Sequence, residues 1–214
     1  MKIKLLIITI IMISPVALFA QYFNSKGVKV AYTTSNIYHD KIDNFSSRRG
    51  GFNVSLFLEL GNYKYLTLVT DIEYIQKGFV EKQDETNEIG ELIKHVEANT
   101  RLDYLSIPIF LKFKYPEIKF EPYMILGPRF DYLLNKENGV YEFTKVDFKS
   151  QVADHFDKYV FGGSIGAGFN LAKIYRFNTF LEFRYNIDFS DSFSSIKEVT
   201  AKNNSYDFWL GIAF

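Results

Sequence analysis

His39-Asp40, with Ser46 and Ser47 close behind, bring a base, an acid able to orient it and two hydroxyls into one stretch of chain. A hydroxyl becomes a nucleophile when a base lies within hydrogen-bond reach and a third group holds that base in place. The set is of the kind an acyl-transferring enzyme uses, but residues of such common types fall together by chance in loops, and the chain is read as not an enzyme. His95 and His155 stand in separate segments without metal-ligand spacing and are read as solvated. Glu81, Asp84, Glu85, Glu88 and Glu91 make another stretch acidic. Oxygen ligands suit Ca²⁺, yet this spacing matches no calcium loop, so a solvated acidic segment is expected. No catalytic, cofactor-binding or metal residue is assigned, and no cofactor is expected.

A second set of charges is spaced differently. Glu59, Asp71, Glu73, Lys112, Arg129, Asp131, Glu182 and Arg184 each fall between residues of an apolar, often aromatic row. Phe52, Val54, Leu56, Leu58 and Leu60 make one such row, with Asn53, Ser55, Phe57 and Glu59 in the gaps. Alternation of this kind marks a β-strand, whose successive side chains point to opposite faces. It recurs eight times. After a first strand near 27–34 and the second at 52–60, the pattern returns near 65–76, 102–114, 124–132, 159–171, 177–189 and 206–214. Short joints near 61–64, 115–118 and 172–176 alternate with long connections near 37–50, 77–100, 135–157 and 190–203. Short turns on one side and long loops on the other describe an all-β, eight-stranded antiparallel up-and-down transmembrane barrel, with periplasmic turns and four outer loops.

A soluble barrel would share the period but face its apolar side inward. Here the apolar rows hold more side chain than a narrow interior admits. The opposite face carries Gly127, Gly162, Gly166, Gly168, Gly211 and Ala213, small residues suited to such an interior. The eight charges share that inward parity, and the network they form is expected to fill the lumen, because an isolated buried charge is costly. Five acids against three bases leave it unbalanced, so water or a lysine from a loop must complete it. An eight-stranded interior is about filled by side chains, which argues against an open pore and leaves a gated one as the alternative. Pro108 and Pro128 fall inside strands and call for a bulge or a strand end. Within the second long connection, Ile89, Leu92, Ile93 and Val96 have helical spacing and predict a short amphipathic helix across the mouth. Arg48-Arg49, just before the second strand, lie at the depth of anionic headgroups, so outer-membrane lipid, including lipopolysaccharide, is an expected partner.

The leading segment agrees with export. Lys2 and Lys4 precede an apolar run from Leu5 to Leu18, and Ala17-Leu18-Phe19-Ala20 offers a cut before Gln21. This is the layout of a secretory signal peptide over residues 1–20, too short and too interrupted by Pro15 to span a membrane as a helix. Residues 21–214 form one domain. With no cysteine, neither disulfides nor a lipidated cysteine are available. Phe (22) and Tyr (15) are abundant, yet mean hydropathy is only −0.08, as expected when half of each membrane strand faces lipid and half does not. Lys plus Arg (25) balance Asp plus Glu (25), which gives no reason to expect nucleic acid.

Tyr74-Ile75-Gln76-Lys77-Gly78, Tyr104-Leu105-Ser106-Ile107-Pro108, Pro122-Tyr123, Gly127-Pro128, Gly166-Ala167-Gly168 and Gly211-Ile212-Ala213-Phe214 resemble segments of the PorT-like outer-membrane β-barrel family of Gram-negative bacteria. The likeness runs over essentially the whole chain after residue 20. It implies an eight-stranded barrel in the outer membrane and supplies no catalytic residue. The name-giving member takes part in protein secretion, so secretion proteins are implied partners. Phe214, closing an aromatic strand, resembles the insertion signal read by the barrel-insertion machinery. Three roles follow as expectations: a non-enzymatic barrel, structural or binding through its outer loops; an accessory of secretion or envelope assembly; and, last, a lipid-modifying barrel enzyme.

Overall fold

The computed structural model describes residues 23–39, 46–61, 63–86, 89, 92–118, 120–140, 156–174, 176–191 and 201–214. The expected signal peptide (residues 1–20), Asp40, Glu88, Glu91 and His155 lie outside these. Eight strands run in chain order: β1 (Phe23–His39), β2 (Ser46–Leu60), β3 (Leu66–Thr86), β4 (Leu92–Lys114), β5 (Pro122–Val140), β6 (Tyr159–Ile174), β7 (Phe177–Asp188) and β8 (Ala201–Ala213). Each pairs antiparallel with the next, and β8 returns to β1 from Gly27↔Ala213 to His39↔Ala201, so the sheet closes. Closure removes the open edges a lipid environment could not satisfy. Among the described residues no helix occurs.

The alternating rows decide which way each strand faces. Val28, Val30, Phe52, Leu56, Ile72, Ile109, Leu126, Ile165, Phe183 and Leu210 are all exposed on the outer wall. Tyr32, Tyr74, Tyr132, Tyr159, Tyr185 and Tyr206 ring the wall at the long-loop end, with Tyr132–Tyr159 and Tyr185–Tyr206 centroids 5.3 and 5.0 Å apart. Tyr65, Phe113, Tyr115, Phe177 and Phe214 ring the short-turn end. Eight residues separate Tyr206 from Phe214, which for tilted strands gives an apolar band about 20 Å tall between two aromatic girdles. Gly61 makes the first tight turn with φ +88°, a conformation that costs glycine little.

Three expectations are corrected. The helix through Ile89, Leu92, Ile93 and Val96 is absent. Leu92 and the residues after it belong to β4, and the register runs on through Glu81↔Ala98, Gln83↔Val96 and Glu85↔Lys94 to Thr86↔Leu92. Adding rungs to an existing ladder needs no new nucleus, whereas a short helix does. Much of the expected long connections is therefore strand, with β1, β2, β3, β4, β5 and β8 all rising past the tyrosine girdle.

Pro108 and Pro128 sit mid-strand with neither bulge nor strand end. Pairing of β4 with β5 lapses between Pro108↔Arg129 and Leu111↔Leu126 and resumes in the same register. Pairing with β3 lapses likewise between Glu73↔Ser106 and Thr70↔Ile109. Gly127 lets β5 close on the Ile109 carbonyl, where any Cβ would collide, and Thr70 Oγ1 donates to Pro108 O at 3.2 Å. Lastly, Arg48-Arg49 lie within β2 rather than before it: Arg48 is exposed on the outer wall, and Arg49 Nε donates to Asn99 Oδ1 at 2.8 Å.

Where β2 and β3 slip register between Arg48 and Asn53, side chains replace the lost ladder. Gln76 N donates to Asn53 Oδ1 at 3.1 Å and Phe52 N to Gln76 Oε1 at 3.4 Å. Ser35 of β1 reaches over β2 to Gly78, its Oγ receiving Gly78 N and donating to Gly78 O, both at 2.8 Å. Gly78 has φ +150° and lies against Thr100 O and Arg49 Cδ, where a Cβ has no room.

Candidate functional site

The inward face of β6 is almost bare. Gly162, Ser164, Gly166 and Gly168 follow one another there, and large side chains from other strands occupy the space. A Cβ at Gly162 would meet Arg129 Nη2 at 3.0 Å, and one at Gly166 would meet Arg184 Cγ and Ile125 Cγ1 at 3.1 Å. At Gly168 it would strike the Tyr123 ring. The glycines thus form the seat into which two arginines and a tyrosine fit.

The central cluster gathers Asp71 and Glu73 of β3 with Glu182 and Arg184 of β7. Arg184 Nη2 lies 2.9 Å from Asp71 Oδ2, Nη1 2.7 Å from Glu73 Oε1, and Nε 2.5 Å from Glu182 Oε1. Lys29 of β1 joins from another stave, 2.5 Å from Asp71 and 3.7 Å from Glu182. Tyr123 Oη donates to Glu182 Oε2 at 3.0 Å. The Trp209 ring carries both cations, Lys29 Nζ and Arg184 Cζ each 5.0 Å from a ring centroid.

Towards the outer end a second cluster joins Arg129 and Asp131 of β5 to Lys77 and Asp188. Lys77 Nζ lies 2.8 Å from Asp131 and 3.3 Å from Asp188, Arg129 Nε lies 3.1 Å from Asp131, and Arg129 also pairs with Asp188. Ser106 Oγ donates to Asp131 Oδ1 at 2.6 Å. Asp207 accepts from Thr33 and from Asn186 Nδ2, the latter at 2.6 Å. Near the turns, Glu59 takes Lys112 and Lys114, both at 3.1 Å, with Thr67 Oγ1 at 2.9 Å.

Apolar plugs lie on either side of this polar column. Ile37, Ile75, Phe79, Leu102, Tyr104, Phe156 and Val160 pack together at the outer end. Phe57, Val69, Phe110, Tyr123, Ile125, Phe180 and Ala213 pack at the turn end. Leu102 and Phe110, one in each plug, are both 0 % exposed. Chemically, the arrangement holds staves together through direct ion pairs. Among the described residues no group of His, Cys, Asp and Glu could hold a metal ion.

The eight charges named from the sequence thus fall into three groups rather than one. Five partners were missed. Lys29, Lys114, Asp188 and Asp207 sit at inward parity between apolar or aromatic residues, so the rule that found the others would have found them too. Lys77 alone lay in what reads as a loop, just past the expected strand at 65–76, and needed the true strand end. Three lysines from β1, β3 and β4 are added to the set, and one of them, Lys77, comes from the stretch read as a loop. Of the hydrolase-like group, Ser46 Oγ lies 2.7 Å from Asn36 Oδ1 and donates to Ile37 O at 2.9 Å. His39 and His95 lie on strands, with side chains outside the described set. Glu81 is buried on β3 rather than solvated. Phe214 closes the seam: its N donates to Lys26 O at 2.8 Å, and its ring meets Phe177 edge-on at 6.3 Å.

Comparison with known proteins gives a consistent placement. No curated protein matches the chain. Among solved structures it is similar to Ail, the attachment invasion locus protein of Yersinia pestis, with 12% identity, 89% of this chain and 98% of that chain covered, and a TM-score of 0.41. It is similar also to OprG of Pseudomonas aeruginosa, with 10% identity, coverage of 90% and 95%, and a TM-score of 0.43. The family model for the outer membrane protein beta-barrel domain matches residues 19–194, most of the chain. With its closed eight-stranded wall and aromatic girdles, the chain belongs to that outer-membrane β-barrel family and resides in the outer membrane of a Gram-negative bacterium.

Proposed function

We propose that this barrel is a closed, non-enzymatic outer-membrane scaffold whose work is done by the strands and loops standing above the tyrosine girdle. The observation that carries the reading is a contrast between its two ends. The lumen is packed with ion pairs between two apolar plugs, while β3 and β4 stay paired from Gly78↔Arg101 up to Thr86↔Leu92, well beyond the roughly 10 residues a membrane strand needs. A tall hairpin is of no use to a spanning wall but suits a surface that meets something outside. The engagement of Ser46 with Asn36 and Ile37 favours a structural role for that hydroxyl over a nucleophilic one.

The test is complementation of a deletion strain. A barrel with residues 82–97 replaced by a two-residue turn should assemble, shown by heat-modifiable migration in gels, yet fail to correct the envelope or surface defect that the full chain corrects. Full correction by the shortened barrel would reject the reading. The PorT-like segments support a second role, as an accessory of secretion or envelope assembly. Normal export of every secreted protein in the deletion strain would reject that one. For a lipid-modifying enzyme, His39→Ala should abolish acyl transfer; intact transfer would dismiss it.

A further inference from the structure

The cations of the lumen are all matched by carboxylates, and so is Arg101, 2.6 Å from Glu137. Arg48 and Lys202 differ. Both are exposed on the outer wall, and neither makes an ion pair among the described residues. They share one face, formed by β8, β1 and β2. There Thr34 lies between Gly50 and Tyr206, and Tyr38 lies beside Lys202.

Arg48 is held rather than loose. Its guanidinium reaches back over Thr34 to lie 4.5 Å from the Tyr206 ring centroid, and Nη1 approaches Thr34 O at 3.4 Å. Tyr32, also on this face, sets its hydroxyl against Gly50, where a Cβ would meet it at 2.7 Å. Stacking on a ring leaves the edge of the guanidinium free, the edge that pairs bidentately with phosphate. The outward side chains of these strands above the girdle are Thr34, Asn36, Tyr38, Ser46, Arg48, Lys202 and Asn204, with no carboxylate among the described residues. Height decides the source of the anion. Arg48 and Lys202 rise about 3–13 Å above the girdle, at headgroup depth, directly over the apolar column of Val30, Phe208 and Leu210 that acyl chains would cover.

We propose that Arg48, with Lys202 and the Tyr32 hydroxyl, docks the phosphorylated headgroup of an outer-leaflet lipid. The site opens sideways into the bilayer and is independent of whatever the tall hairpin meets. The test uses the full barrel, folded in detergent, with native mass spectrometry as the readout. Three probes are compared: phosphorylated lipid A, the same lipid after phosphatase treatment, and inorganic phosphate as competitor. The wild type should retain the phosphorylated lipid and lose about fivefold or more of that binding on Arg48→Ala, with Arg48→Lys in between. Lys26→Ala, at the opposite rim beside Phe214, should change nothing. Heat-modifiable migration shows that each variant is folded. Equal retention by Arg48→Ala, or equal retention of the dephosphorylated lipid, would overturn the proposal. Displacement by inorganic phosphate at equal concentration would overturn the lipid as its source.

Discussion

Arg184 of β7 spans the lumen to Glu73 of β3, Nη1 to Oε1 at 2.7 Å. In a closed wall of eight staves these two strands stand opposite each other, so the contact ties the barrel across its full diameter. Lys77 of β3 and Asp188 of β7 make a second such tie nearer the outer end, at 3.3 Å. Both ties are 4 % exposed or less at either side chain, so they act without water between them. Buried pairs of this kind add little over a well-packed apolar interior, but removing one partner strands the other.

Arg184→Ala should therefore cost about 3–5 kcal/mol, because it leaves Asp71, Glu73 and Glu182 with Lys29 as their remaining cation. Urea unfolding in liposomes measures this. Trp209, the one tryptophan of the chain, lies against Arg184 and Lys29 and reports the loss directly. Its emission should shift to the red in the folded variant as water enters. Unchanged stability and emission would contradict the placement of the cluster.

Filling the glycine seat should also be damaging, though less so than emptying the cluster. Gly166→Val forces Arg184 and Ile125 aside and should destabilise by about 1–3 kcal/mol. Ala167→Val, one residue on, faces lipid and should be close to neutral. Parallel urea titrations of the two variants check the contrast, and equal effects would reverse the assignment of faces.

Much of this was legible in the residues, and what was not has a physical cause. Period-two alternation fixes the side of each residue, so Asp71, Glu73, Arg129, Asp131, Glu182 and Arg184 could be set on one face without coordinates. It says nothing of which staves meet across the lumen, since that depends on shear and side-chain length. Nor does it mark strand ends above the membrane. From Glu81 to Val96 the apolar row ends, and the spacing of Ile89, Leu92, Ile93 and Val96 imitates a helix. Pro108 was unreadable for another reason: its tolerance depends on Gly127, which the sequence gives no reason to set beside it.

Ser35→Ala removes the one hydroxyl that serves both backbone groups of Gly78. A buried N–H left unpaired costs about 1–3 kcal/mol. Hydrogen exchange at Gly78 should accelerate along with the loss of stability. Unaltered exchange would mean that another group takes the amide.

Two periplasmic turns are strapped by Lys64 and Glu117, 2.6 Å apart, with Tyr65 Oη 3.1 Å from Glu117. The hydrogen bond from Lys64, then that from Tyr65, lowers the Glu117 carboxyl below its ordinary 4.5, and the same bond raises Lys64 above 10.5. The lowered acid contributes above its unfolded value and is lost as pH falls through its folded one. The raised lysine contributes below its own unfolded value and is lost as pH rises through its folded one, so the strap holds across the neutral range. Lys64→Met should move the Glu117 titration midpoint up towards 4.5, read by carboxyl NMR, with little change in stability because both groups are exposed. An unmoved midpoint would remove the strap.

Single-channel recording in planar bilayers tests the sealed lumen most directly. With Arg184 and Glu73 joined across the column and Leu102 and Phe110 closing its two ends, the folded barrel should give no conductance steps at any holding potential that the bilayer survives. Steady steps of a defined size from the folded, heat-modifiable form would contradict the sealed lumen and make the ion pairs a gate rather than a filling.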